Sequence, residues 1–361
     1  MTALPPSPQA PALAHTSLAS RAQVPFVSVG NMARLVRARG LGLVLRELAG
    51  KIEADFRRWE SFEKTTRVAC HARHGDLELM PTSDGVAYGV KYVSGHPRNA
   101  RAGLQTVTGL GLLAEVETGY PVLLAEMTLL TALRTAATSA MVTKLLAPAG
   151  AHVLALIGNG AQSEFQATAL QGICGVDTVR LYDIDPAATA KARHNLAAGG
   201  LTVIACASAR EAVEGAQIIT TCTADKRCAT ILTDDMIHPG VHINAIGGDS
   251  PGKTELDPAI LLRTQTFVEY PPQTRVEGEI QQMPATYPVT ELWRVLTGTQ
   301  PGRRNAQDIT LFDGVGFAIE DFSALCYLRQ AVEGSTFCQM LDAIAAPADP
   351  RNLFGLLRDA A

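Results

Sequence analysis

The chain has 361 residues, of which 47% are hydrophobic and 18% charged, with 31 Lys plus Arg against 35 Asp plus Glu and a formal net charge of −4. No apolar run approaches the ~18 residues of a membrane helix, and no charge block suits a dedicated nucleic-acid backbone binder. The size suits about two domains, and the Gly-rich, aromatic-poor composition points to an α/β protein rather than disorder or a coiled coil.

The first 23 residues, with Pro5, Pro6, Pro8 and Pro11, read as a tail with little apolar surface to offset its ordering. They lack the basic and apolar regions of a signal peptide. Residues 31–59 carry Leu41, Leu45, Leu48, Ile52, Phe56 and Trp59 at helical spacing, with Gly40 and Gly42 as candidate breaks. From Thr65 to Glu126 the period drops to two, which predicts an antiparallel sheet with short connections. Met127 to Leu146 reads as helix. After Pro148-Ala149-Gly150, short apolar strands alternate with helices: Val153–Ile157, a helix from Ala161, a strand ending at Asp183, a helix over 186–196, and strands near 202–206, 217–220 and 242–246. That alternation predicts a parallel sheet covered on both faces. Leu311-Phe312-Asp313 and a helix from about Phe317 to Ala331 close the reading.

The seven cysteines are odd in number and form no C-x-x-C, which fits a reducing, cytoplasmic setting. Cys222, Cys228 and His238 have no common ligand spacing, and His71-x-x-His74 lacks a third ligand, so no metal site is expected.

Three constellations carry chemistry. Ile157-Gly158-Asn159-Gly160-Ala161-Gln162-Ser163 follows a strand and opens a helix, the setting of a dinucleotide fingerprint. Gly158 permits the tight turn and Gly160 a close phosphate approach, although Ser163 replaces the third glycine. Asp183 ends the next strand, where a carboxylate accepts ribose hydroxyls and repels a 2′-phosphate; this favours NAD. In the antiparallel region, Arg67, Glu78 and Lys91 are charges set in apolar or β-rich runs. Each alone suits a solvated sheet face; together they could grip a zwitterion. Arg134, in a small and otherwise uncharged helical stretch, calls for an anion. Finally, Asn244 to Glu255 leaves a predicted parallel strand. Gly247 and Gly248 let a ring approach the backbone, Asp249 is a candidate acid/base, and Lys253 is its charge partner. Residues 247–254 also spell a P-loop pattern, which Pro251 and Pro258 weaken.

These residues give the chain a resemblance to the ornithine cyclodeaminase / mu-crystallin family, on its bacterial cyclodeaminase side. The matching stretches are Arg67-Val68-Ala69, Glu78-Leu79-Met80-Pro81, Lys91-Tyr92-Val93, Ala132 to Ala137, Gly158 to Glu164, Thr220-Thr221, Thr223 to Lys226, Gly247 to Leu256 and Val276 to Ile280. The resemblance covers about residues 27–335. It implies a Rossmann NAD-binding domain (146–309) plus an α+β substrate and dimerisation domain (24–145 with 310–361) with a largely antiparallel sheet.

It also implies conversion of L-ornithine to L-proline and ammonia, a step linking arginine catabolism to proline biosynthesis. Hydride passes to bound NAD and back, so the reaction has no net redox change. Arg67, Lys91 and Arg134 would hold the carboxylate, and Glu78 would orient the distal ammonium. Met80 and Val315 would lie beside the substrate, and Asp249 would shuttle protons. Thr106, Arg134, Thr135, Gly158, Asn159, Gly160, Ala161, Gln162, Asp183, Thr221 and Lys253 would touch NAD, and two subunits would form a homodimer. Gly314, often Ser in the family, and Cys222, often Val, depart from the pattern. A cyclic-imine reductase, a lysine cyclodeaminase, an alanine dehydrogenase and a non-catalytic mu-crystallin-like binding protein are the alternative readings.

Overall fold

The computed structural model describes residues 22–224 and 229–358. The tail expected over residues 1–23 lies outside them except at its end, where Gln23 already opens a strand. Asp225, Lys226 and Cys228 also lie outside the described residues.

Strand β1 (Gln23–Val27) leads into helices α1 (Val29–Arg39) and α2 (Leu41–Arg57). Ser28 caps α1 by accepting from the Asn31 N–H, and Gly40, at φ +86°, makes the break between the two helices. Helix α2 buries Leu45, Leu48, Ile52 and Phe56 on one stripe. Next come β2 (Val68–Ala72), β3 (Gly75–Ser83), β4 (Ala87–Gly95), β5 (Val107–Glu115) and β6 (Pro121–Glu126), an antiparallel meander. Glu126 then accepts the first three N–H groups of helix α3 (Thr128–Leu146).

The second half alternates. It runs β7 (Val153–Ile157), α4 (Ser163–Cys174), β8 (Thr178–Tyr182), α5 (Pro186–Leu196), β9 (Thr202–Ala205), α6 (Ala209–Val213), β10 (Ile218–Thr221) and β11 (His242–Ala245). It continues with α7 (Pro258–Leu261), β12 (Thr264–Val268), α8 (Pro271–Glu277), β13 (Thr290–Glu291), α9 (Leu292–Leu296) and β14 (Ile309–Asp313). Helix α10 (Ala318–Val332) and strand β15 (Gln339–Asp342) finish it.

Two sheets result. The first has the order β15-β1-β6-β5-β4-β3-β2 and is antiparallel except where β1 runs parallel to β6. The second has the order β13-β12-β14-β11-β10-β7-β8-β9, with every registered pair parallel. This is the predicted α/β class: one largely antiparallel sheet and one doubly wound parallel sheet. The strand order reverses between β7 and β10, which opens a crevice at their carboxyl ends. Among the described residues no helix is long and apolar enough to cross a membrane.

One boundary differs from expectation. Strand β14 is hydrogen-bonded between β11 and β12, so residues 309–313 belong to the parallel sheet. The chain returns to the first layer after Asp313 rather than at residue 310. The return is made by α10, which packs across β3, β4 and β5. Glycines let it come close. A Cβ on Gly89 would lie 3.0 Å from the Phe322 ring, and one on Gly111 would lie 2.9 Å from Leu325. The space above Gly89 is thus filled by Phe322, which also meets Phe62 edge-on at 5.2 Å.

Phe322 is therefore the pin between α10 and the first sheet, and Phe322→Ala is expected to cost about 3–5 kcal/mol. Calorimetry should show a clearly lowered Tm; an unchanged Tm would contradict this packing.

Candidate active site

The glycine turn lies at the carboxyl end of β7. Gly158 has φ +93°, and a Cβ there would stand 2.8 Å from the Cys222 carbonyl, so the position admits glycine alone. Nothing lies within 4 Å of a Cβ built on Gly160, which leaves its backbone open to a ligand. Helix α4 starts there without a side-chain cap, so its first N–H groups and positive dipole end face the crevice. Ser163, in the third-glycine position, is fully buried and donates to the Gly160 carbonyl at 2.9 Å; it tightens the turn that a glycine would merely permit. Asp183 follows β8 and accepts the Asn159 N–H at 2.6 Å and the Asp185 N–H at 2.8 Å. Ala161 and Gln162 continue the turn, and Thr221 ends β10 across the crevice.

A second group gathers on the inner face of the first sheet. Met80 and Lys91 are register partners on β3 and β4, and Glu78 lies two residues before Met80 on the same face. Arg67 precedes β2 and is held on every side. Its guanidinium meets Glu78 Oε2 at 3.0 Å, Glu277 Oε2 at 3.0 Å, the Val315 carbonyl at 2.6 Å and the Gly316 carbonyl at 2.9 Å. Lys91, 1% exposed, donates to Asp321 Oδ1 at 2.9 Å, and its ammonium lies 2.8 Å from Oδ2 in the same ion pair. Arg134 on α3 meets Glu320 at 2.7 Å and Asp321 at 3.0 Å.

Burial sets the charge states. It pulls the Lys91 ammonium down to about 8; Asp321 opposes this, and Arg134 and Arg67 add to it. Burial would lower the Arg67 guanidinium too, but Glu78, Glu277 and Asp249 more than reverse it. Burial pushes Glu277 up to about 7 against the pull of Arg67, with Glu78 and Asp249 adding to the rise. Glu277 is thus poised near neutrality, as acid–base groups often are.

Asp249 stands between the two groups. Its side chain is half-exposed and lies 3.3 Å from Lys253 Nζ, which also donates to the Thr223 carbonyl at 3.0 Å. Burial lowers the Lys253 ammonium, but Asp249 and Glu255 outweigh it and hold the cation. The P-loop-like string is not a phosphate cradle. A Cβ on Gly247 would lie 2.2 Å from the Glu255 carboxylate, so a buried acid occupies that space, and α7 is only four residues long.

The structure thus brings Arg67, Glu78, Met80, Lys91, Arg134 and Val315 together, with Asp249 and Lys253 at their edge. Thr135 follows Arg134 on α3, where its carbonyl accepts from Ser139. Thr106 stands apart from the glycine turn in sequence and sheet, just before β5, with its carbonyl accepting from the His96 N–H. His71 bonds Asp76 at 2.8 Å and His74 faces Arg98. The two departures from the family pattern also find reasons. A Cβ on Gly314 would lie 2.6 Å from the buried Phe312 ring, which favours glycine here, and Cys222 donates to the Gly158 carbonyl at 3.1 Å.

Sequence reasoning missed the acids that hold the cations: Glu277, Glu320 and Asp321. The available signal was two adjacent acids opening α10, most of whose residues are buried.

A glycine turn on a parallel sheet, facing a buried cluster of paired cations and acids, defines a dinucleotide-binding protein with a cleft for a small charged ligand. The model of the ornithine cyclodeaminase/mu-crystallin family matches residues 30–336, and the chain belongs to that family. It is 62% identical over 334 residues to an ornithine cyclodeaminase of Brucella suis biovar 1 (strain 1330), covering 92% of this chain and 93% of that protein. A solved lysine cyclodeaminase, described with recognition of L-lysine, L-ornithine and L-2,4-diaminobutyric acid, superposes with a TM-score of 0.87 at 29% identity, covering 91% of this chain and 98% of that one. An archaeal alanine dehydrogenase dimer with bound NAD superposes with a TM-score of 0.81 at 27% identity, covering 88% and 99%.

The turn at Gly158 tests the dinucleotide assignment. Gly158→Ala forces a strained φ and a clash with the Cys222 carbonyl, and should weaken NAD binding at least about tenfold in a fluorescence titration. Unchanged affinity would place the dinucleotide elsewhere.

Proposed function

We propose that the chain is an NAD-dependent cyclodeaminating ammonia-lyase that converts L-ornithine to L-proline and ammonia. The observation that carries this is the set of carboxylates around Arg67: Glu78 and Glu277 each pair with it at 3.0 Å, and Asp249 acts on it from the cleft edge. A monoamino acid brings one ammonium, already beside its own carboxylate. A diamino acid brings one carboxylate and two ammonium groups, and its second ammonium matches the surplus of acid.

The residues present fit NAD: a glycine-only turn, an open Gly160 backbone, an uncapped helix start and a carboxylate at Asp183 placed for ribose hydroxyls. When bound, NAD supplies a reversible hydride acceptor for the substrate's α-carbon. The protein does the rest. Arg67, Lys91 and Arg134 hold the α-carboxylate, which also eases deprotonation of the neighbouring amine. Glu78, with Glu277 beside it, orients the distal ammonium. Asp249 exchanges protons with the reacting amines from the cleft edge, and Lys253 holds its carboxylate in place. Burial of the cluster excludes water from the reacting groups. The free cysteines fit a reducing compartment, and we place the enzyme in the cytoplasm.

The test is product analysis. L-ornithine with substoichiometric NAD+ should give equal amounts of proline and ammonia over many turnovers; a demand for stoichiometric NADH, or no proline, overturns the assignment. Asp249→Asn should lower kcat by about 10²–10⁴ while NAD affinity stays near the wild-type value.

The assembly we propose is a homodimer built on the outer face of the first sheet. Val68, Leu79, Tyr92 and Leu110 are register partners across β2 to β5 and form one exposed apolar row. Such a row on an open sheet calls for a covering surface. A second copy offers the same row, as a two-fold interface requires. Tyr92→Asp places a charge in the middle of it and should shift the chain toward monomer in light scattering; an unaltered mass would remove this face from the interface.

A further inference from the structure

We propose that Glu269, which directly follows β12, is a positioning residue of the carboxylate-binding cluster: it fixes the Val315–Gly316 peptide that sets Arg67 and Arg134 side by side. The proposal rests on the function inferred above for that cluster.

The chain at Val315–Gly316 is clamped along both edges. Glu269 Oε1 accepts the Gly316 N–H at 2.9 Å. The Gly316 carbonyl accepts from Gln273 at 2.9 Å and from Arg67 at 2.9 Å, and the Val315 carbonyl accepts from the same Arg67 nitrogen at 2.6 Å. Gly316 has φ +77°, and a Cβ there would lie 2.8 Å from Arg134 Nη1. The two consecutive peptides on either side of Gly316 therefore dock Arg67 through their carbonyls, and Gly316 lies flush against Arg134. Rotating them would unseat both cations. Glu269 and Gln273 reach them from β12 and α8, so the parallel-sheet side of the molecule sets the geometry of a cluster that otherwise stands on the first sheet.

Charge pairing explains why an acid serves here without disturbing the arginines. Glu78 and Glu277 answer Arg67, Asp321 answers Lys91, and Glu320 with Asp321 answers Arg134. Glu269 is buried with no ion pair among the described residues, and its Oε2 has no hydrogen-bond partner there. The charged groups acting on it are Glu320 and Asp313, both acids, while Arg134 lies within range of its field. Burial and these neighbours hold its carboxyl well above the usual carboxylate range, which favours the protonated form. In its protonated form the acid keeps its accepting carbonyl for Gly316 and offers Arg134 no competing charge. The guanidinium stays with Glu320 and remains available to an incoming carboxylate.

Two variants and one spectroscopic measurement on the NAD-loaded full chain test this. Glu269→Ala leaves the Gly316 N–H buried without a partner and should raise KM for L-ornithine about tenfold or more while kcat changes less than about threefold. Glu269→Gln supplies a neutral accepting oxygen and should restore most of that loss. Infrared difference spectra of glutamate-labelled protein at neutral pH, wild type minus Glu269→Gln, should show one protonated carboxyl stretch lost. If Glu269→Gln is as impaired as Glu269→Ala, or if no protonated carboxyl is lost, the proposal is overturned. Failure of the functional reading looks different: the wild type would make no proline, whereas the infrared band reports on Glu269 whether or not proline forms.

Discussion

Asp321 carries the arrangement. One buried carboxylate receives the Lys91 ammonium from β4 and the Arg134 guanidinium from α3, and so fastens a strand and a helix to the start of α10. Buried charges are costly unless paired, and an unpaired Lys91 or Arg134 at these positions would cost several kcal/mol. The docking of α10 is therefore electrostatic at its beginning and hydrophobic further along, where Phe322 and Leu325 press on the glycines of β4 and β5. Because α10 follows directly from the Val315–Gly316 turn, the same contact fixes the peptide that receives Arg67.

The molecule separates two tasks. The parallel sheet offers a dinucleotide crevice made of backbone: a glycine turn, a helix start and the ends of two strands. The antiparallel sheet offers a cluster of side chains whose charges are nearly all answered within the protein. Asp249 and Lys253 leave the carboxyl end of β11 and stand where the two meet. Backbone suits the phosphates, whose recognition needs close approach, and side chains suit a small ligand that must be told from its relatives by the number and spacing of its charges.

Much of this was legible in the sequence. The turn Gly158-Asn159-Gly160, the acid Asp183 and the strand–helix alternation are local patterns, and local patterns survive folding. The cations Arg67, Lys91 and Arg134 stood out because each interrupts an uncharged run. Apart from Glu78, their answering acids did not, since Asp321 lies 230 residues from Lys91 and Glu320 lies 186 from Arg134. Acids that close such distances carry no signal in periodicity or spacing. Strand β14 misled for a related reason. Its apolar run suits either sheet, and only its neighbours β11 and β12 decide between them. Strands β1, β12 and β15 are short, and the pairing of β1 with β15 joins the two ends of the chain.

That last pairing, with the central place of β14, has a consequence for how the chain comes into being. As the polypeptide leaves the ribosome, the parallel sheet lacks an interior strand until residue 313 has emerged. The first sheet lacks its edge until residue 342, and its cations lack Asp321 until α10 arrives. Neither layer can be completed alone, so the long-range closures that make folding slow fall together once residues 313 to 342 have emerged. Until then Lys91 and Arg134 wait in water, and their burial coincides with the step that builds the site.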